Sequence, residues 1–344
     1  MRSLVPLFAL ALVLVSAPAG AAGDDQQPIV IRMAAIAPEG TGWARELKAM
    51  ARDVEAATHG TVRVKWYLGG IAGDEAAAVS RIRRGQLDGA AGALFCGSLS
   101  PTLAVTRIAG LVQSRDEALY LVNHLRPRID EDFKKRGFVN LVVGDFGNDI
   151  IFLRDRVDSF GELKKRPMWI WNADTVLHRQ LELMGMHIVP AAIEQLSPMY
   201  DANQIDGMFV IPTAALAFQW TTRARYFIDL RSSMLAGCMT VSQKSYDQLS
   251  FEQQQALTAA AAKFAVRFED LGKREDALLL GGTLEKQGVH KLAATDALRD
   301  AFLGAAASAR GQLDDKLIPR SLVKESLDAL AAYRASHRRG HAPP

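Results

Sequence analysis

An α/β chain arranged as two lobes is predicted by three observations. Residues 160–216 alternate strand and helix patterns. The joint Gln-x-Asp-Gly occurs twice, as Gln86-Leu87-Asp88-Gly89 and as Gln204-Ile205-Asp206-Gly207. Each copy follows a residue tolerant of positive φ, Gly85 or Asn203, so each reads as a helix stop that opens an apolar strand. Finally, the tract over residues 251–285 keeps one apolar face and would extend roughly 50 Å as a helix, long enough to lie along both halves.

Within residues 160–216, Met168-Trp169-Ile170-Trp171 is an apolar run suited to a buried strand and too short for a helix. Asn172 and Asp174 can cap the helix that follows, and Gly185 can end it. Ile188 and Val189 form a second strand, a helix through Ile193, Leu196 and Tyr200 runs out at Asn203, and residues 207–210 form a third strand.

Taken from the start, Arg2, an apolar run over residues 4–15 and the small residues Ala19, Gly20 and Ala21 have the pattern of a secretory signal peptide, expected over residues 1–22. The mature chain is therefore expected to be exported and soluble. It opens with a strand at Ile29, a loop over residues 37–43 and a helix with Trp43, Leu47, Met50 and Val54 on one face. Residues 62–67 alternate as a strand, and residues 89–94 form another. Two helices are expected at residues 116–124 and 128–135, before a strand over residues 138–146. Residues 224–230 and 236–242 read as paired strands, and amphipathic helices at residues 294–314 and 321–335 precede a basic tail, residues 337–344. The lobes are drawn as residues 23–146 plus about 232–262, and 147–231 plus about 263–336.

Composition sets limits on function. The 344 residues are 49% hydrophobic and 23% charged with a net charge of +3, which suits a soluble two-domain protein and calls for no nucleic-acid partner. Cys96 and Cys238 are the only cysteines; spacing does not establish a pair, and two buried, unpaired thiols are the expectation. No nucleophile elbow, phosphate-binding glycine loop or zinc-protease motif is present, and the seven histidines are scattered without ligand spacing. No cofactor, metal or catalytic group is expected.

The segments IVIRMAAIAPEGTGW, VRVKWYLGGIAGDEAAAVSRIRRGQLDGAAGAL and GELKKRPMWIW, the last followed by LELMGMHIVPAAIEQLSPMYDANQIDG, together resemble the periplasmic solute-binding proteins of TRAP (tripartite ATP-independent periplasmic) transporters, over about residues 28–290. The family's first lobe has a similar AP-x-G-x-x-W loop, Y-P-x-G-x-L-G turn and G-x-x-D strand start. The resemblance implies a periplasmic binding protein-like fold, each lobe a mixed sheet flanked by helices. It further implies lobes that close over one ligand, and delivery to the membrane permease subunits of such a transporter rather than catalysis. A carrier working with a soluble, tetratricopeptide-type partner is the alternative.

Departures from the family pattern concern the ligand. The arginine that the resemblance places in a K-x-R-V strand falls at Trp169 or Ile170, a second falls at Gly147, and a polar position becomes Val210 or Ile211. Arg154 and Arg166 are the nearby cations that could still reach the cleft. A buried carboxylate without a cation is costly, whereas each buried apolar group contributes about 1.5–3 kcal/mol. The expected ligand is thus largely apolar or neutral. Trp169 and Trp171 are expected to divide, one packed in the lobe and the other, Trp169, facing the ligand. Phe146, Asn148, Asn172 and Phe209 are the further candidates, with Glu39, Trp43 and Phe95 from the first lobe.

Overall fold

Strand-forming runs separated by capped helices build two sheets in the computed structural model, which describes residues 27–338. The strands are β1 (Ile29–Ala34), β2 (Val62–Tyr67), β3 (Gly89–Gly92), β4 (Phe138–Asn148), β5 (Ile150–Leu153), β6 (Met168–Trp171), β7 (Ile188–Ala191), β8 (Gly207–Val210), β9 (Tyr226–Ile228), β10 (Met234–Ser242) and β11 (His290–Leu292). The first sheet has the order β2-β1-β3-β10-β4 and the second β11-β9-β5-β8-β6-β7. In the first, β1 is parallel to β2 and β3, while β10 runs antiparallel to β3 and β4. In the second, β6 is parallel to β7 and β8, while β5 runs antiparallel to β8 and β9. Both sheets are mixed, and each separates two apolar clusters.

The longer helices are α1 (Gly42–Ala57), α2 (Glu75–Arg83), α3 (Arg115–Lys135), α4 (Thr175–Leu183), α5 (Phe251–Leu278), α6 (Asp296–Arg310) and α7 (Arg320–Arg338). The first six start at a short polar side chain, Thr41, Asp74, Ser114, Asp174, Ser250 or Thr295, whose oxygen accepts from the backbone N–H three residues on. Each such cap is worth about 1 kcal/mol.

The repeated Gln-x-Asp-Gly joint has a structural counterpart in both lobes. Gly85 and Asn203 take the left-handed conformation, with φ of 72° and 55°. Gly89 opens β3 and Gly207 opens β8, each between a parallel and an antiparallel neighbour. A Cβ at Gly89 would lie 2.3 Å from the Thr240 carbonyl oxygen, and one at Gly207 2.4 Å from that of Phe152. Sterics of the antiparallel neighbour therefore require glycine at both.

Several elements differ from the sequence expectation. One helix, α3, replaces the expected pair and runs through Pro127. A proline inside a helix costs about 3 kcal/mol. Leu121, Leu125, Ile129 and Phe133, none more than 2% exposed, form one continuous buried face at about 1.5–3 kcal/mol each, which outweighs that. β9 and β10 do not pair; they belong to different sheets, and the chain crosses back to the first lobe between them. The expected long helix is present over residues 251–286, with a π turn and a kink at Gly282, whose φ is 124°, and its far end reaches the second lobe, where Leu279 and Leu284 pack with Phe152 and Phe227. Its first half packs on the first lobe, where Arg267 pairs with Glu46 at 2.7 Å and Asp53 at 3.0 Å on α1.

The C-terminal helices, placed with the second lobe from the sequence, divide between the lobes. Gln180 on α4 donates to the Ala306 carbonyl of α6 at 2.9 Å, whereas Arg334 on α7 pairs with Glu117 on α3 at 2.6 Å. Cys96 and Cys238 are joined by a disulfide with a Cα–Cα separation of 5.8 Å, so the expectation of two free thiols is corrected. Pairing was hidden because only the sheet brings β10 beside the turn after β3. The expected signal peptide and the last six residues lie outside the described range. Among the described residues no helix is long and apolar enough to cross a membrane.

Candidate ligand-binding cleft

The two sheets face each other across a cleft at the carboxyl ends of their parallel strands, the usual place for a ligand in open α/β sheets. β1 leads into Ala35, Ile36 and Ala37, and β3 into Ala93 and Leu94. β6 contributes Trp169 and Trp171, and β8 contributes Phe209, Val210 and the following Ile211. The space between the walls, open solvent at the mouth included, is about 1050 Å³.

Aromatic groups make both walls. On the first lobe Trp43 meets Phe146 edge-on at 6.1 Å, Phe146 lies 4.8 Å from Phe268, and Phe264 follows at 5.2 Å. On the second, Trp169 lies 5.5 Å from Trp220, which stacks on Phe218 at 4.9 Å. Trp169 and Trp171 both line the cleft, which corrects the expected division between them. Residues two apart on a strand share a face. Met168 and Ile170 pack in the cluster on the other face of the sheet together with Phe209, and Ile170 and Phe209 still reach the cleft at the strand ends.

Of the other residues singled out from the sequence, Trp43, Phe146 and Phe209 also line the cleft. Four do not. Glu39 is exposed and pairs with Lys48 at 2.6 Å. Asn172 is exposed on the turn after β6, and Asn148 ends β4, half-buried. Phe95 is buried in the first-lobe core, beside a smaller pocket. Arg154 lies against the Tyr200 ring and donates to the Tyr200 carbonyl, and Arg166 pairs with Asp206 at 3.5 Å; neither lines the cleft. Asp145 is held by Arg115 outside it.

The sequence reading missed the polar centre of the cleft. Its charged lining side chains, among the described residues, are Arg107, Asp149, Asp174 and Glu75. Arg107 sits on the helical turn Val105–Arg107 and is 7% exposed. Its Nε donates to Asp174 at 2.9 Å, and its Nη2 pairs with both Asp174 and, at 2.6 Å, Asp149. Burial alone would pull the guanidinium down, but the two carboxylates hold it above its ordinary value. Asp149 also accepts from the Ser233 hydroxyl at 2.8 Å, and Asp174 from the Leu177 N–H at 3.3 Å. The available signal was a lone arginine inside the apolar run over residues 103–112, since a buried charge needs a partner.

Glu75, at the start of α2, meets no cation among the described residues. Its oxygens accept from the backbone N–H groups of Ala93 and Phe95, each at 2.8 Å. Burial pushes its carboxyl up to about 7, against the pull of those N–H groups. No group of acidic, histidine or cysteine side chains that could hold a metal occurs among the described residues.

A family model described as bacterial extracellular solute-binding protein, family 7 (DctP), matches residues 33–310. No curated protein sequence matches. Among solved structures, the sugar acid binding protein DctPAm from Advenella mimigardefordensis, in complex with galactonate, is similar with a TM-score of 0.82 at 16% identity, over 89% of this chain and 99% of that one. A TRAP periplasmic solute binding protein from Ralstonia eutropha H16 with bound (S)-2-acetolactate gives 0.80 at 19%, over 88% and 99%. One from Haemophilus influenzae with bound L-gulonate gives 0.79 at 16%, over 88% and 99%. At these identities the likeness establishes the two-lobed fold.

Proposed function

The chain belongs to family 7 of the bacterial extracellular solute-binding proteins, receptors rather than enzymes, and on that premise we propose that it captures a small, largely apolar or neutral solute in the interlobe cleft. The receptor works in the periplasm and presents its closed, loaded form to the membrane subunits of a TRAP-type permease. Of the two partners weighed from the sequence, the permease is the one that the family and the descriptions of the structural neighbours support.

One observation carries the ligand class. The cleft is walled by indole, phenyl and aliphatic groups, and its guanidinium, Arg107, is already held by Asp149 and Asp174. An anionic solute such as the galactonate or L-gulonate of the neighbours would approach a cation that two carboxylates have neutralised. Apolar contact instead contributes about 25 cal/mol for each Å² removed from water. Closure of the lobes about the strands that cross between them would complete the burial.

Thermal shift against panels of sugar acids, short organic acids and neutral lipophilic compounds tests this reading, since a ligand that binds the native state raises its apparent stability. Saturable stabilisation by neutral compounds and none by the acids is expected. Saturable stabilisation by galactonate, gulonate or a simple dicarboxylate would refute it.

A further inference from the structure

Two buried hydrogen-bond donors on residues lining the cleft have no partner among the described residues. One is Nη1 of Arg107, the other Nε1 of Trp169. Arg107 is 7% and Trp169 2% exposed, so neither nitrogen is turned to bulk water. Buried N–H groups in folded proteins are almost always satisfied, because leaving one unpaired forfeits its hydration without return. Both orphans are donors, and both are carried by residues that line the same cleft. What the site lacks is an acceptor.

The remaining groups decide which acceptor. Nε and Nη2 of Arg107 are engaged by Asp149 and Asp174, so one guanidinium already faces two acids. A ligand carboxylate would be a third acid on the same cation, with Glu75 a fourth in the same lining. A neutral oxygen brings no such repulsion. Both oxygens of Asp174 are occupied, by Arg107 and the Leu177 N–H, and Oδ2 of Asp149 is occupied by Arg107 and the Ser233 hydroxyl. The indole N–H of Trp169 is a neutral donor that cannot titrate away.

We propose that the cleft recognises an apolar solute through a neutral carbonyl oxygen, which accepts from Nη1 of Arg107 and Nε1 of Trp169. This inference rests on the apolar-cleft reading above and adds the functional group. Specificity then comes from the two orphan donors, because an otherwise matched hydrocarbon would leave both unpaired.

Calorimetric titration of the mature protein, freed of co-purified ligand, with three matched probes tests it. These are 2-acetylnaphthalene, 2-ethylnaphthalene and 2-naphthoate, which share a ring system and differ in the small substituent. The ketone is expected to bind roughly tenfold more tightly than either other probe. Trp169→Phe, which keeps an aromatic ring and removes the N–H, should lower the ratio of ketone to 2-ethylnaphthalene affinity about fivefold, whatever loss of ring contact the two probes share. Arg107→Lys, which keeps a cation between the two aspartates and withdraws Nη1, should act in the same direction. Equal affinity for ketone and hydrocarbon, or a ketone preference that survives Trp169→Phe, would overturn the carbonyl inference while the apolar reading stands. Tightest binding of 2-naphthoate, or saturable binding of none of the three, would overturn the apolar reading and the inference together.

Discussion

The two lobes share one strand plan and use its cleft-facing end differently. Read from one edge, β2-β1-β3-β10-β4 and β7-β6-β8-β5-β9 match strand for strand, with the same parallel and antiparallel neighbours and the same Asp-Gly entry to the third strand. In the first lobe the central strands end in small residues, Ala35, Ala91 and Gly92, and the aromatic wall comes from Phe146 on the edge strand β4, Trp43 on α1 and Phe264 and Phe268 on α5. In the second lobe the strands themselves carry the bulk, as Trp169, Trp171 and Phe209. Their acids differ too. Glu75 of the first lobe is buried, meets no cation among the described residues and titrates near neutrality, whereas Asp149 and Asp174 of the second share Arg107. The same topology thus supports a lone carboxyl on one side and, on the other, two carboxylates neutralised by an arginine of the first lobe.

The largest expected effect concerns a feature of the first lobe alone. The Cys96–Cys238 disulfide closes a sequence separation of 142 residues, so replacing both cysteines by alanine should lower unfolding free energy by about 3–5 kcal/mol in urea denaturation. A change under about 1 kcal/mol would break the view that the first lobe depends on this link.

Arg107→Ala comes next, at about 3–5 kcal/mol, because it leaves Asp149 and Asp174 buried without their cation. Denaturation at neutral pH checks it, and adding Asp174→Asn should recover part of the loss. An unchanged midpoint would mean that the ionic centre does not tie the two lobes together.

Glu75 separates the lobes by pH. Its folded-state value of about 7 lies above the ordinary 4.5, so its contribution to stability is full below the ordinary value and is lost as pH rises through about 7. The linkage is on the order of 3 kcal/mol. Glu75→Gln should lower the thermal midpoint at about pH 5, since the amide nitrogen cannot accept from a backbone N–H, and should flatten the decline toward about pH 7.5. A decline as steep as in the unaltered protein would assign the titration elsewhere. The smallest effect belongs to Glu39, exposed and paired only with Lys48: Glu39→Ala should change stability by less than about 0.5 kcal/mol and leave ligand affinity intact.

Much of this comparison was legible in the sequence, and the reasons for the rest are physical. Strand length, caps and the repeated Asp-Gly joint depend on neighbours in the chain, so β6, β7, β8 and their helices could be read directly. α3 was divided in two because local preference at Pro127 cannot register the buried face that overrides it. The aromatic lining was partly visible, in Trp169, Phe209, Phe146 and Trp43, although the shared face of Trp169 and Trp171 was misread. Arg107 was missed because its partners lie far along the chain in the other lobe, and only the folded sheets bring them to the turn at Val105–Arg107. The cysteine pair was missed for the same reason.

Native mass spectrometry of gently purified protein, with extraction and identification of the bound molecule, tests the central claim most directly. A neutral, largely apolar compound bearing a carbonyl oxygen is the predicted finding. A sugar acid or dicarboxylate, seated on Arg107 in place of an aspartate, would contradict it.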